Sequence, residues 1–268
     1  MQKLLSLKQN YFKEIDNRAK NLAKNLVHSN LKDAFVTNEI LKFIIELYNS
    51  ENKSNSNFIK EDFKSSSHQA ITSDFEFFIS RILYHYSKEK KFDWEINLRC
   101  QKKDYKQNKQ IAPDILITNK KGKIVAIIEI KVRAGYMQCF FSKIRADKEK
   151  KILSQNKQSK YNPKEVIKKY HDQLKKYSQM DIRGKEKTFV LLPTFILVSR
   201  KDNKESIKDF KKEFEKNSKL SKNNLIVLSG DKDLDLAKIK ETNYINGKLE
   251  LHPTNEFERF IKNISKGR

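Results

Sequence analysis

The sequence contains few of the residues that build disulfide frameworks and zinc sites. Its two cysteines, Cys100 and Cys139, have the spacing of neither a zinc site nor a disulfide scaffold. Its five histidines are scattered along the chain and form no metal-binding motif. These shortages argue against a zinc enzyme and against a small secreted scaffold held together by disulfides.

Long apolar runs are also missing. The first residues contain no apolar stretch of the length that a secretory signal requires. No other stretch approaches the roughly 18 apolar residues of a membrane span. Together with the scarcity of cysteine, this predicts a soluble cytoplasmic protein that does not associate with membranes.

Acidic residues are few relative to basic ones. The chain has 57 Lys and Arg against 34 Asp and Glu, a formal net charge of +23. Residues 101–187 alone contain 24 Lys or Arg and 9 Asp or Glu, a net +15, so the other 181 residues contribute only +8. Such a concentration of positive charge predicts a polyanionic partner. The alternative is a general bias of the composition towards lysine.

Helical periodicity dominates the N-terminal part. Residues 1 to about 49 have helix-like apolar spacing in two blocks, and the polar residues 50–69 are typical of a linker. We therefore predict a helical region with its linker at 1–70 and a second domain at 71–268. Ser73 and Glu76 form a capping-box pattern, which predicts that a helix starts there.

Strand patterns follow that helix. Residues 94–101 alternate between apolar and polar side chains, and residues 111–118 and 123–132 read as two further strands around the turn at 119–122. A helix beginning at Pro163 and a strand at 189–198 come next. This order predicts an α/β fold in which helices flank a central mixed sheet.

The chemically suggestive residues lie on the second and third of these strands. Glu129 and Lys131 are two apart, so they share one face of their strand. If Thr118 pairs with Lys123 across the turn, Asp114 lies opposite Ile127, on the same face as Glu129. Two carboxylates and a lysine at the end of an apolar strand can hold Mg²⁺ and activate water. The alternative is an ordinary surface ion pair.

The motif Pro113-Asp114 followed by Glu129-Ile130-Lys131 resembles the PD-(D/E)xK nuclease superfamily. The resemblance spans roughly residues 72–199 and implies a restriction-endonuclease-like core. It also implies a phosphodiesterase that uses Mg²⁺, with Mn²⁺ as a substitute. By this resemblance the metal is held by Asp114, Glu129 and the carbonyl of Ile130. Lys131 matches the catalytic lysine, and Glu76 matches an acidic residue on the first core helix.

Two further features fit a nuclease. Gln173 and Tyr177 are similar to the Q-x-x-x-Y pattern of RecB-like members, although many amphipathic helices share that spacing. The long connection 133–162 is a candidate flap over the substrate. Its candidate nucleic-acid-binding residues, which could equally form a solvated helix face, are Lys143, Arg145, Lys148, Lys150 and Lys151.

We therefore expect an endonuclease that acts on DNA, of a restriction or defence type. A symmetric recognition site would favour a homodimer. One alternative is a repair or recombination nuclease that recognises DNA structure. Another is a nucleic-acid-binding module that keeps the fold without activity.

Overall fold

The structure is a computed structural model. It describes residues 2–28, 33–57, 67–99, 102–104, 109–132, 163–178, 189–193, 207–216, 224–229 and 251–266. The helices described are α1 (Gln2–His28), α2 (Phe35–Asn57), α3 (Ser67–Glu89), α4 (Pro163–Ser178), α5 (Ile207–Lys216) and α6 (Glu256–Lys266). The strands described are β1 (Trp94–Leu98), β2 (Lys102–Asp104), β3 (Lys109–Ile111), β4 (Ile115–Asn119), β5 (Ile124–Lys131) and β6 (Phe189–Pro193).

Four of these strands form one mixed sheet in the order β1-β4-β5-β6. Strand β4 is antiparallel to both β1 and β5, whereas β6 runs parallel to β5. A parallel pair needs a long crossover, and helix α4 lies within the connection from β5 to β6. The predicted α/β class is confirmed. Between β1 and β4, strands β2 and β3 form a separate antiparallel ribbon.

Several helix boundaries differ from those predicted. Helix α3 begins at Ser67, so Ser73 and Glu76 lie inside it and the predicted capping box is wrong. Helix α2 continues to Asn57, well into the stretch predicted to be a linker. Both helices are therefore longer than their local sequence patterns predicted.

Strand boundaries also differ. Strand β1 ends at Leu98, where Arg99 adopts a positive φ of 48°. The predicted strand 111–118 is interrupted, because Ile111 ends the ribbon and the sheet resumes at Ile115. Outside the named strands, Ser229 and Pro253 form an isolated antiparallel bridge.

Helices α1 and α2 share one hydrophobic core with α3, one face of the sheet and α6. Fully buried members of that core include Leu26, Ile44, Phe78, Ile128 and Phe257. Burying each of these side chains stabilises the fold by about 1.5–3 kcal/mol. Because neighbouring strand residues alternate, this core lies on the face of β5 opposite to Glu129. The division at residue 70 stays a prediction.

A buried carboxylate ties the last helix to the second. Glu258 of α6 is fully buried, and it accepts hydrogen bonds from the backbone N–H of Thr37 at 2.8 Å and from its hydroxyl at 2.6 Å. Thr37 lies in the first turn of α2, so the carboxylate caps the positive end of that helix. Burial raises the pKa of Glu258, and the Thr37 hydrogen bonds oppose this rise.

Replacing Glu258 with Ala should therefore destabilise the whole protein. The change leaves two buried donors of Thr37 unsatisfied, at roughly 1–3 kcal/mol each, so we expect a loss of about 3 kcal/mol. Urea unfolding followed by circular dichroism measures the free energy of unfolding. Glu95→Ala, at an exposed position of β1, is the control and should cost under about 0.5 kcal/mol. Equal stability of the two variants would contradict a structural role for Glu258.

Candidate active site

A β-bulge decides which side chains meet at the end of strands β4 and β5. Thr118 pairs with Ile124 rather than with Lys123, and the register then shifts so that Ile117 pairs with Ala126 and Ile115 with Ile128. The predicted register was therefore wrong.

The predicted shared face nevertheless holds. Continuing the observed ladder by one residue puts Asp114 opposite Glu129, whereas the predicted register put it opposite Ile127. Ile127 and Glu129 lie on the same face of β5, because they are two residues apart, so Asp114 faces the same way in both registers. The bulge is essential, since a shift of only one residue would have put Asp114 opposite Ile128, on the other face.

Backbone hydrogen bonds fix Asp114 at this end of the sheet. Its Oδ2 accepts the N–H of Ile130 at 2.7 Å, and its carbonyl accepts the N–H of Arg99 at 2.9 Å. The side chain is therefore tied to β5 while the backbone extends the pairing of β1 with β4. In an extended strand the N–H and C=O of one residue point to the same side. The carbonyl of Ile130 accordingly faces the side of Asp114.

Glu129 accepts hydrogen bonds from two side chains. It is 6% exposed, and its two oxygens accept from Lys131 Nζ and from the Tyr177 hydroxyl, each at 2.5 Å. Gln173 donates to the same hydroxyl at 3.2 Å. Helix α4 therefore brings Gln173 and Tyr177, which share one side of the helix, next to Glu129. Burial, with the charge of Glu129, raises the pKa of Tyr177, which keeps the phenol a hydrogen-bond donor.

Glu76 reaches the same region from helix α3. Glu76 is buried, and its Oε2 accepts from Arg99 Nε at 2.7 Å. Arg99 also donates to the Ser73 hydroxyl at 2.8 Å. The sequence analysis did not identify Arg99. An arginine at the end of a half-buried strand was the available signal, but only the tertiary structure brings it next to Asp114 and Glu76.

The neighbouring carboxylates affect the acidity of Asp114. Burial, followed by the charges of Glu129 and Glu76, raises the pKa of Asp114 to about 7. The Ile130 N–H and the Lys131 ammonium oppose this rise. Asp114 is therefore partly protonated near neutral pH in the metal-free protein, and a cation bound there would have to displace that proton.

The raised pKa makes stability depend on pH. A carboxyl with a pKa near 7 in the folded state and near its ordinary 3.8 in the unfolded state binds its proton more tightly when folded. The stabilisation that this tighter proton binding gives to the folded state is fully present below pH 3.8 and is lost as pH rises through 7.

In EDTA, the melting temperature of wild type should therefore fall relative to that of Asp114→Asn as pH rises from 4 to 7. Thermal melts of both proteins across this range provide the measurement. A constant difference between the two curves would contradict the raised pKa. Asp93→Asn, at an exposed position, is the control and should follow wild type.

The carboxylate oxygens at this site suit a metal cation that keeps several of its bound waters. Among the described residues there is no group of three or more His, Cys, Asp or Glu side chains that could hold a metal. Mg²⁺, however, commonly uses one or two carboxylates together with waters and substrate phosphates. Asp114 and Glu129 retain acceptor capacity, since a carboxylate has about four lone-pair positions. These residues therefore fit Mg²⁺ better than a metal that needs a complete protein cage.

Other predicted features lie outside the described residues. These are the flap at 133–162 with Lys143, Arg145, Lys148, Lys150 and Lys151. The DNA-binding role of these residues stays a prediction. No helix in the described part of the chain is both long enough and apolar enough to cross a membrane.

Comparisons with known proteins returned no relative of this chain. No protein-family model matches it, and neither a curated protein nor a solved structure does. Function must therefore be argued from the geometry of the site.

Proposed function

We propose that this protein is a Mg²⁺-dependent nuclease that hydrolyses phosphodiester bonds in DNA, with a restriction-endonuclease-like core. The main support is the convergence of Asp114, Glu129 and Lys131 on one face at the end of β4 and β5. Glu129 is buried and Asp114 is half-buried, and carboxylates withdrawn from water are costly unless they are paired or bind a metal. An ion pair alone would require neither the bulge nor the anchoring of Asp114.

Each side chain has a distinct part in this proposal. Asp114 and Glu129 hold the cation, with the Ile130 carbonyl as a further oxygen donor. When bound, Mg²⁺ polarises the phosphate and lowers the pKa of a coordinated water. Lys131 lies against Glu129 and stabilises negative charge that develops on the phosphate. Tyr177 orients Glu129 through its hydroxyl, and Gln173 holds Tyr177.

The charge of the surrounding segment supports nucleic acid as the substrate. Residues 101–187 contain the whole site except Glu76 and Arg99, and they carry a net +15. A polyanion approaching this surface would be attracted over several ångströms and held through its phosphates. Mn²⁺ should replace Mg²⁺, because both accept oxygen ligands in octahedral geometry. We also propose a restriction or defence role, with a homodimer that cuts both strands.

A panel of substrates tests the function. The purified protein is incubated with plasmid, linear duplex, a branched junction, single-stranded DNA and RNA, in Mg²⁺, in Mn²⁺ and in EDTA. We expect discrete fragments of plasmid and linear duplex in either metal and none in EDTA. Preference for the junction would instead identify a structure-specific repair nuclease. Binding without cleavage of any substrate would leave an inactive nucleic-acid-binding module and would overturn the proposed activity.

A further inference from the structure

We propose that Arg99 forms a phosphate-binding site beside Asp114 and Glu129 and contacts a backbone phosphate of the DNA. This inference rests on the proposed function, since it names a further contact to that substrate. It assigns Arg99 a role in binding DNA, and it assigns Glu76 and Ser73 the role of orienting the arginine.

The backbone of Arg99 puts its side chain next to the site. Its N–H donates to the carbonyl of Asp114, which continues the pairing of β1 with β4 by one residue. Opposed residues in an antiparallel pair have Cα atoms about 4.5–5.5 Å apart. A phosphate bound by the guanidinium of Arg99 would therefore lie within one side-chain length of Asp114.

The conformation of Arg99 is unusual for a residue with a side chain. Its φ of 48° lies in the left-handed region, which costs a non-glycine residue roughly 1–3 kcal/mol. Such conformations persist where the surroundings enforce them, and they concentrate at functional sites. Lys91, in the turn before β1, also has a positive φ, of 55°, so the conformation of Arg99 supports a role for its side chain only together with the contacts of that side chain.

Two described side chains hold the guanidinium along one edge. Its Nε donates to Glu76 and its Nη2 donates to Ser73, while Nη1 has no hydrogen-bond partner among the residues that the structure describes. The Arg99 side chain is 54% exposed, whereas the Glu76 side chain is 3% exposed. The buried carboxylate therefore fixes the plane of the guanidinium, while more than half of the arginine side chain stays exposed.

This geometry favours a phosphate as the ligand. Guanidinium is planar, remains charged, and offers paired N–H donors that match phosphate oxygens. The hydrogen bond to Glu76 raises the pKa of Arg99 further, which secures the positive charge. Because Glu76 orients the group in advance, little side-chain entropy is lost when the ligand binds. A single exposed ion pair, by contrast, would contribute little to stability.

Binding measurements in EDTA test this site without cleavage. Fluorescence anisotropy with a labelled DNA duplex gives the dissociation constant at several salt concentrations. The logarithm of the association constant falls linearly with the logarithm of the salt concentration, and removing one phosphate contact should make that slope shallower by about 0.9. Arg99→Met should show that decrease, together with about tenfold weaker binding at low salt. Arg259→Met removes the same charge from an exposed position on α6 and should keep the wild-type slope.

Arg99→Gly tests whether weaker binding results from a destabilised fold, because glycine adopts the positive φ without strain. It should bind DNA as weakly as Arg99→Met while retaining a cooperative melt. An unchanged slope in both Arg99 variants would overturn the phosphate site, as would an equal loss in Arg259→Met. The phosphate site would also be overturned if the Arg99 variants lost as much affinity for poly-glutamate as for DNA, since the arginine would then attract any polyanion.

The outcome is independent of whether the protein cleaves DNA. If Arg99→Met lowers the salt slope in a protein that never cuts, the phosphate site stands and the nuclease proposal fails. If the wild type cuts and the Arg99 variants bind like wild type, the nuclease proposal stands and the phosphate site fails.

Discussion

Asp114→Asn and Glu129→Gln should each reduce Mg²⁺-dependent cleavage by about a thousandfold or more. Either substitution removes a negative ligand from a site that has only two in contact with the proposed cation. Lewis-acid activation is worth several kcal/mol, and each 1.36 kcal/mol is a factor of ten in rate. The measurement is the initial rate of plasmid cleavage with Mg²⁺ in excess.

Both variants should remain folded. Asn at position 114 can still accept the N–H of Ile130, and neutralising a carboxyl whose pKa is raised by its acidic neighbours removes repulsion. Calorimetric titration should show weaker binding of Mg²⁺ to each. The controls are Asp93→Asn and Glu95→Gln, which change exposed carboxyls near β1 and should cut at the wild-type rate. Wild-type cleavage by Asp114→Asn or Glu129→Gln would refute the proposed metal site.

Lys131→Met should lose about 10²–10³ in cleavage rate while it keeps its affinity for Mg²⁺ and DNA. The ammonium group contacts Glu129 in the resting protein, but its proposed benefit arises as charge develops on the phosphate. Met preserves the length of the side chain and its apolar contacts. Single-turnover cleavage with saturating protein isolates the chemical step from binding.

The loss should appear in the rate constant rather than in the concentration of protein needed for half-saturation. Lys120→Met, at an exposed position of the hairpin turn, is the matched control and should be unaffected. If Lys131→Met instead cut normally and only its stability changed, by under about 1 kcal/mol, the lysine would be part of an ordinary surface ion pair.

The sequence by itself predicted the order of the main helices and strands and the shared face of Asp114, Glu129 and Lys131. Alternation in β1, the apolar run of β5 and the proline that begins α4 are local patterns that reflect burial and helix initiation, so each is visible without a fold. The spacing of Glu129 and Lys131 fixed their common face, because the period of a strand is two residues. The spacing of Gln173 and Tyr177 likewise put them on one side of their helix.

Only the tertiary structure decided how these pieces meet. The bulge between β4 and β5 is absent from any pattern of apolar residues, yet it sets which side of the sheet Asp114 occupies. Glu76 looked like a local helix cap, but α3 begins at Ser67, and Glu76 lies inside the helix as the partner of Arg99. Arg99 lies beside Asp114 because the end of β1 pairs with the start of β4, a contact between separate segments. Local periodicity reports burial, whereas register, bulges and long-range ion pairs depend on how separate segments pack together.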